Sequence, residues 1–253
     1  MELISKSDVE DQMAEPADTR IAKPTIAEVL AQFLEEQRGG MSARTLARHR
    51  DAVELLQHCL NDYGPSSLDR EETEAFDRLE DAEGTEHREF CEIFGPEHIL
   101  PNVGEFLGWF MVRKVIVGKE TLRAAGTMVK KLAVWLAEKG YVTSEWAEDA
   151  AERGTKAAKD LPDAEDLAFR LHAFAEDHAR NSRKDDIEGH FTIARVESGK
   201  IWLKGVMSHD PDIGPIKLPE DIIKRCRVDW DISGIIGRAG KGWRFIEVWN
   251  VYP

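Results

Sequence analysis

Ile26-Ala27-Glu28-Val29-Leu30, with Phe33 one turn on, is answered later in the chain by Val103-Gly104-Glu105-Phe106-Leu107 with Phe110. Thr45-Leu46, Val53, Leu56, Leu60 and Gly64 correspond in the same way to Thr121-Leu122, Val129, Leu132, Leu136 and Gly140. The offset is 77 residues in the first block and 76 in the second. Each copy reads as a short apolar helix, a turn carrying a Thr-Leu pair, and a longer amphipathic helix closed by glycine. Two helical hairpins packed on each other are therefore the predicted architecture of residues 24–141. Thr25 is placed to cap the first helix, Gly39-Gly40 to stop it, and Ser42 to cap the second. Between the copies, residues 65–98 are acidic with few apolar positions, and they read as an insertion that is helical in part at most.

Outward from the repeat the pattern changes. Residues 142–187 are rich in Ala, Glu and Lys and read as a helical linker, in which Leu167, Leu171 and Phe174 carry a helical period. After Asn181 the period becomes alternating: His190 to Val196, a Glu197-Ser198-Gly199 turn and Lys200 onward predict a β-hairpin. Further strands are expected near residues 214–218, 227–238 and 243–252, with a helical turn over 219–225. Residues 188–253 thus read as a separate small β-barrel, SH3-like or related, and the whole chain as an α+β protein.

The chain has 253 residues, 42% of them hydrophobic, and no run of 18 consecutive apolar residues. Residues 1–23 are acidic, lack the order of a signal peptide, and are expected to be a disordered arm. Three widely spaced cysteines, Cys59, Cys91 and Cys226, argue against a disulfide framework and for a cytoplasmic location. The net charge of -14 is unevenly spread. Residues 61–98 hold 13 acids against three basic residues, whereas residues 99–141 hold three against seven and residues 190–253 hold eight against ten. Two mildly basic surfaces are thereby concealed in an acidic protein.

Ser42-x-x-Thr45-Leu46 with Leu56 and Leu60, and Lys119-x-Thr121-Leu122 with Val129-Lys130-Lys131-Leu132 and Trp135-Leu136, resemble the SAM-like core-binding domain of phage integrases and other tyrosine recombinases. The resemblance covers residues 24–141. It implies a helical domain lying across DNA, with the starts of the Thr-Leu helices near phosphates. His49 and Ala125 stand where a family helix often has tyrosine. No His-x-x-Arg element occurs anywhere in the chain, so the resemblance implies DNA binding without the cutting chemistry.

The candidate nucleic-acid contacts are Arg44, Thr45 and Arg48 on one helix and Lys119, Thr121, Arg123, Lys130 and Lys131 on the other, because helix starts offer free N–H groups and cations there release counterions from DNA. A solvated helix face with ordinary surface charge produces the same pattern. In the barrel, Trp202, Trp243, Arg244 and Trp249 are candidates for ligand binding, since exposed rings beside cations stack bases or hold a peptide. Large rings also serve simply to fill a small barrel. Gly237 to Gly242 lacks the spacing of a phosphate loop and reads as a turn between strands. His87, Cys91 and His98 lack a fourth ligand, and His209, Asp210 and Asp212 lie in a surface loop, so no metal or other cofactor is expected. The sequence reads as a non-catalytic DNA-binding protein, with a protein-interaction scaffold carrying a peptide-binding barrel as the alternative.

Overall fold

The structure is a computed structural model that describes residues 21–178, 185–205 and 211–253. Most of the acidic arm, the start of the alternating region near Asn181, and His209 with Asp210 lie outside the described residues.

The first hairpin is α1 (Ile26–Gln37) and α2 (Ala43–Tyr63). Thr25 and Glu28 form a reciprocal capping box on α1, and the Ser42 hydroxyl accepts from the Thr45 N–H at the start of α2. The second hairpin begins with α5 (Val103–Glu105), continues through a π-helical turn (Phe106–Phe110) into α6 (Met111–Arg113), and is completed by α7 (Lys119–Glu138). Phe33 and Phe110, Val53 and Val129, Leu56 and Leu132, and Leu60 and Leu136 are all buried in one core. The repeat is a repeat of core positions.

The segment between the copies departs from the insertion expected over 65–98. It forms α3 (Arg70–Glu80) and α4 (Phe90–Ile93), and Leu79, Phe90, Ile93 and Phe94 enter the same core as the hairpins. Its backbone also receives the chain ahead of α1, where the Ala22 and Ile26 N–H groups donate to the carbonyls of Ile93 and Phe94, each at 2.8 Å. Few apolar residues were needed because nearly all of them are spent on the core.

The expected linker contains a single helix, α8 (Ser144–Asp177), capped by Thr143. Its first half supplies Ala147, Ala150, Ala157 and Leu161 to the helical core, and its second half supplies Ala164, Leu167, Leu171 and Ala175 to the core of the barrel. Pro162, which has no N–H for the carbonyl one turn back, stands where one core gives way to the other. In its first half α8 crosses α7 with backbones touching. A Cβ added to Gly126 would lie 2.5 Å from the Gly154 carbonyl oxygen, and one added to Gly154 would lie 2.6 Å from that of Gly126.

The barrel is closed in the order β1-β2-β3-β5-β4. Its strands are β1 (Ile187–Glu197), β2 (Lys200–Leu203), β3 (Ile213–Lys217), β4 (Asp231–Ala239) and β5 (Gly242–Tyr252), with the short helix α9 (Glu220–Ile223) between β3 and β4. All neighbours are antiparallel except β3 and β5, which are parallel. The α+β class is as expected. The small C-terminal barrel is also as expected, and this strand order with a helix between β3 and β4 is the connectivity of an OB-type barrel.

The Gly126–Gly154 crossing leaves no room for a methyl group facing main chain. Gly126→Ala and Gly154→Ala are expected to destabilise the protein by at least the ~1–3 kcal/mol of ordinary overpacking, lowering the melting temperature by several degrees in a thermal denaturation scan, whereas Gly39→Ala, at an open position, is expected to change it little.

Candidate nucleic-acid interface

The structure separates the helical candidates into engaged and unengaged groups. Arg48 and Arg123 both pair with Glu120, at 2.9 and 3.0 Å, and Lys119 pairs with Asp166 at 2.5 Å. The Thr45 hydroxyl hydrogen-bonds to Ser42 at 2.9 Å, within the helix cap. Thr121 is half-buried in the first turn of α7. Arg44, Lys130 and Lys131 are exposed and make no ion pair or hydrogen bond among the described residues. None of the eight pairs with an acid of residues 65–98. His49 is buried with Nδ1 unpartnered, and burial followed by the nearby charge of Lys131 pushes its pKa down.

Glu120 ties α7 to α2, whereas Asp166 belongs to a network between the helical region and the barrel. Asp166 of α8 accepts from Lys119 of α7, from Arg170 one turn on at 2.8 Å, and from Arg225 after α9 at 2.5 Å. Arg227 bridges Asp160 and Asp163 of α8, at 2.6 and 2.5 Å, and stacks over Trp230 with its guanidinium carbon 4.8 Å from the ring centre. Burial acts to raise the Asp166 pKa, but the three donors outweigh it and hold the carboxyl well below the usual carboxylate range.

On the barrel, the alternation of each strand sends Ile201 and Leu203 inward and leaves Trp202 half-buried on the outer surface. The ring lies against Gly214 of β3, where an added Cβ would strike it, and the Arg195 guanidinium is stacked 3.9 Å from its centre. Trp243, at the start of β5, is half-buried with Arg238 stacked at 4.1 Å. Beside it runs a groove of about 560 Å³ between the end of α8, β3 and the β4–β5 turn, lined among others by Phe174, Pro215, Lys217, Lys241, Trp243 and Arg244. Among the described residues no carboxylate lines it, and Lys217 and Lys241 are exposed without an ion pair. Gly214 and Pro215 join the groove to the Trp202 platform.

Trp249 belongs elsewhere. It is exposed on the far part of β5, beside a second cleft of about 310 Å³ that also includes Ile116, Glu165, Phe169 and His172. The barrel candidates thus resolve into Trp243 with Arg244 in the groove, Trp202 adjoining it, and Trp249 apart. Lys217, Phe174 and Arg195 were not among the binding candidates in the sequence, where Phe174 shows only as part of a helical period and Lys217 only as a cation ending a strand. Cys91 and His98 do not form a metal site with His87: the Cys91 thiol faces the Gln57 carbonyl, His98 contacts Glu72, and no metal-binding cluster occurs among the described residues. No helix among them is long and apolar enough to cross a membrane.

No family description, curated protein or solved structure matches this chain. The OB connectivity rests on strand order, and by itself it assigns no ligand.

The depressed pKa of Asp166 has a definite sign in stability. Its contribution is fully present above the unfolded-state value of about 4 and is lost as pH falls toward the folded-state value. Asp166→Asn is expected to lower stability at neutral pH while flattening the acid limb of the stability curve, as measured by urea denaturation between neutral and acid pH.

Proposed function

We propose that the protein binds single-stranded nucleic acid, without chemistry of its own, through the outer face of its barrel. The observation that carries this reading is the groove, lined by no acid among the described residues, in which Lys217, Lys241 and Arg244 surround Trp243, adjoining the Arg195–Trp202 stack. Cations that track phosphates beside flat surfaces that accept bases are what strand binding requires. An Arg guanidinium laid on an indole offers such a surface, since bases stack on guanidinium planes as they do on rings. The OB connectivity and the resemblance of residues 24–141 to a DNA-binding domain point the same way. The helical surface around the start of α2 is given the lesser role because Arg48 and Lys119 are held by Glu120 and Asp166.

One observation favours a scaffold instead: Ile116, Phe169 and Trp249 project side by side from the second cleft, and exposed apolar patches of this kind mark protein contacts.

Titration of fluorescent oligothymidylate and oligouridylate at several salt concentrations tests the primary reading. Binding is expected to weaken steeply with salt. Lys217→Glu and Lys241→Glu are each expected to reduce the slope by about 0.7, the value for one phosphate contact on a single strand. Trp202→Ala is expected to weaken binding by roughly 5- to 150-fold, the equivalent of ~1–3 kcal/mol for one stacked base. Absence of binding at low salt would leave the scaffold reading in possession.

A further inference from the structure

We infer that the strand path does not end at the barrel but continues along α8 to a second phosphate-binding pocket at the junction of the two regions. The inference rests on the barrel reading above and extends it. The junction pocket, about 350 Å³, lies between the start of α7, the middle of α8 and the segment after α9. Lys119, Arg123, Lys224, Arg225 and Arg227 line it, against only Asp163 and Asp166.

A set of cations serving only to clamp two regions would be matched by acids. Here the lining cations exceed the lining carboxylates by three. The wider network adds Arg48 and Arg170 to the cations and Glu120, Asp160 and Asp221 to the acids, and a surplus of two remains. Asp166 already accepts from three donors. Lys224 makes no ion pair or hydrogen bond through its side chain among the described residues, and Arg123 has only the well-exposed Glu120, which it shares with Arg48. Donors are therefore available to an incoming anion without dismantling the clamp.

The second part of the argument is alignment. Asp163, Asp166, Arg170, Phe174 and His178 follow one another along α8 and its C-cap at intervals of three or four residues, which places them on one stripe. Asp163 and Asp166 border the junction pocket, and Phe174 and His178 border the barrel groove. At 1.5 Å per residue, Asp166 and Phe174 are ~12 Å apart along the axis, a gap that a few nucleotides of strand can bridge. Arg170 stands between them, half-buried and held by Asp166 and Asp221. The two cationic pockets thus lie along one stripe of α8.

The test uses the full chain and oligothymidylates of about 6 and about 20 nucleotides, the first within and the second beyond the site sizes of single OB barrels. The charge reversals are Lys224→Glu and Arg123→Glu, chosen because neither side chain ties to Asp166, with Arg38→Glu, at the C-cap of α1, as an equal change of charge. Each variant is first checked for an unchanged melting temperature. For the long strand, Lys224→Glu and Arg123→Glu are each expected to lower the salt slope by about 0.7 and to weaken binding several-fold, with Arg38→Glu neutral. For the short strand, held at the barrel, none is expected to matter. An unchanged slope with the long strand overturns the inference while leaving the barrel reading intact. An equal loss for both lengths, or an equal loss in Arg38→Glu, indicates only a general field and also overturns it. If neither strand binds the wild-type chain, the barrel reading fails and the inference falls with it.

Discussion

The contact between the backbones of α7 and α8 at Gly126 and Gly154 governs the arrangement of everything around it. Two helices approach this closely only where neither carries a side chain at the crossing, and here each supplies a glycine to the other's carbonyl. That contact fixes α8 against the second hairpin, and α8 in turn carries Ala164, Leu167, Leu171 and Ala175 into the barrel core. The junction pocket, the ion pairs of Asp166 and the position of the barrel groove beside Phe174 all follow from where α8 is held. The glycines are conspicuous only once the partner helix is known, because a lone glycine in an amphipathic helix ordinarily reads as a local weakness.

Charge then acts at two ranges. At short range, Asp160, Asp163 and Asp166 on α8 bind cations from α7 and from the chain after α9, so the two regions are joined by ion pairs as well as by apolar packing. Ion pairs at a protein surface contribute little singly, but Asp160 is buried, Asp166 is half-buried, and several donors sharing one carboxylate restrict orientation. At longer range, the cations that line the junction pocket and the barrel groove outnumber the acids, a local surplus of positive charge. The net charge of the chain conceals it, because the acids of α3 and its neighbours face solvent on the helical region.

The helical repeat was legible because burial has a period. Val53, Leu56 and Leu60 and their counterparts Val129, Leu132 and Leu136 could be read from spacing, and so could the caps Thr25 and Ser42. The barrel strands were legible for the same reason, from alternation around Phe191 and Ile193. What could not be read was pairing between distant segments. The order β1-β2-β3-β5-β4 depends on which strands meet, and the role of Phe90 and Phe94 depends on a core assembled from elsewhere. The candidate site divides along the same line. Trp243 and Arg244 were visible as an aromatic–cation pair, but sequence gave no sign that Glu120 and Asp166 would capture Arg48, Arg123 and Lys119, or that Trp249 would lie on a different face.

A helix embedded in two cores also makes their mutual orientation a matter of residue count. Each residue in an α-helix turns the chain by about 100° and advances it by 1.5 Å. Inserting or deleting one residue between Ala157, in the helical core, and Ala164, in the barrel core, would leave both cores intact in composition yet rotate one against the other, swinging Phe174 away from the line of Asp166. Changes of three or four residues would nearly restore the direction at the cost of one turn of length. The stretch around Pro162 is therefore expected to tolerate substitution more readily than changes in length.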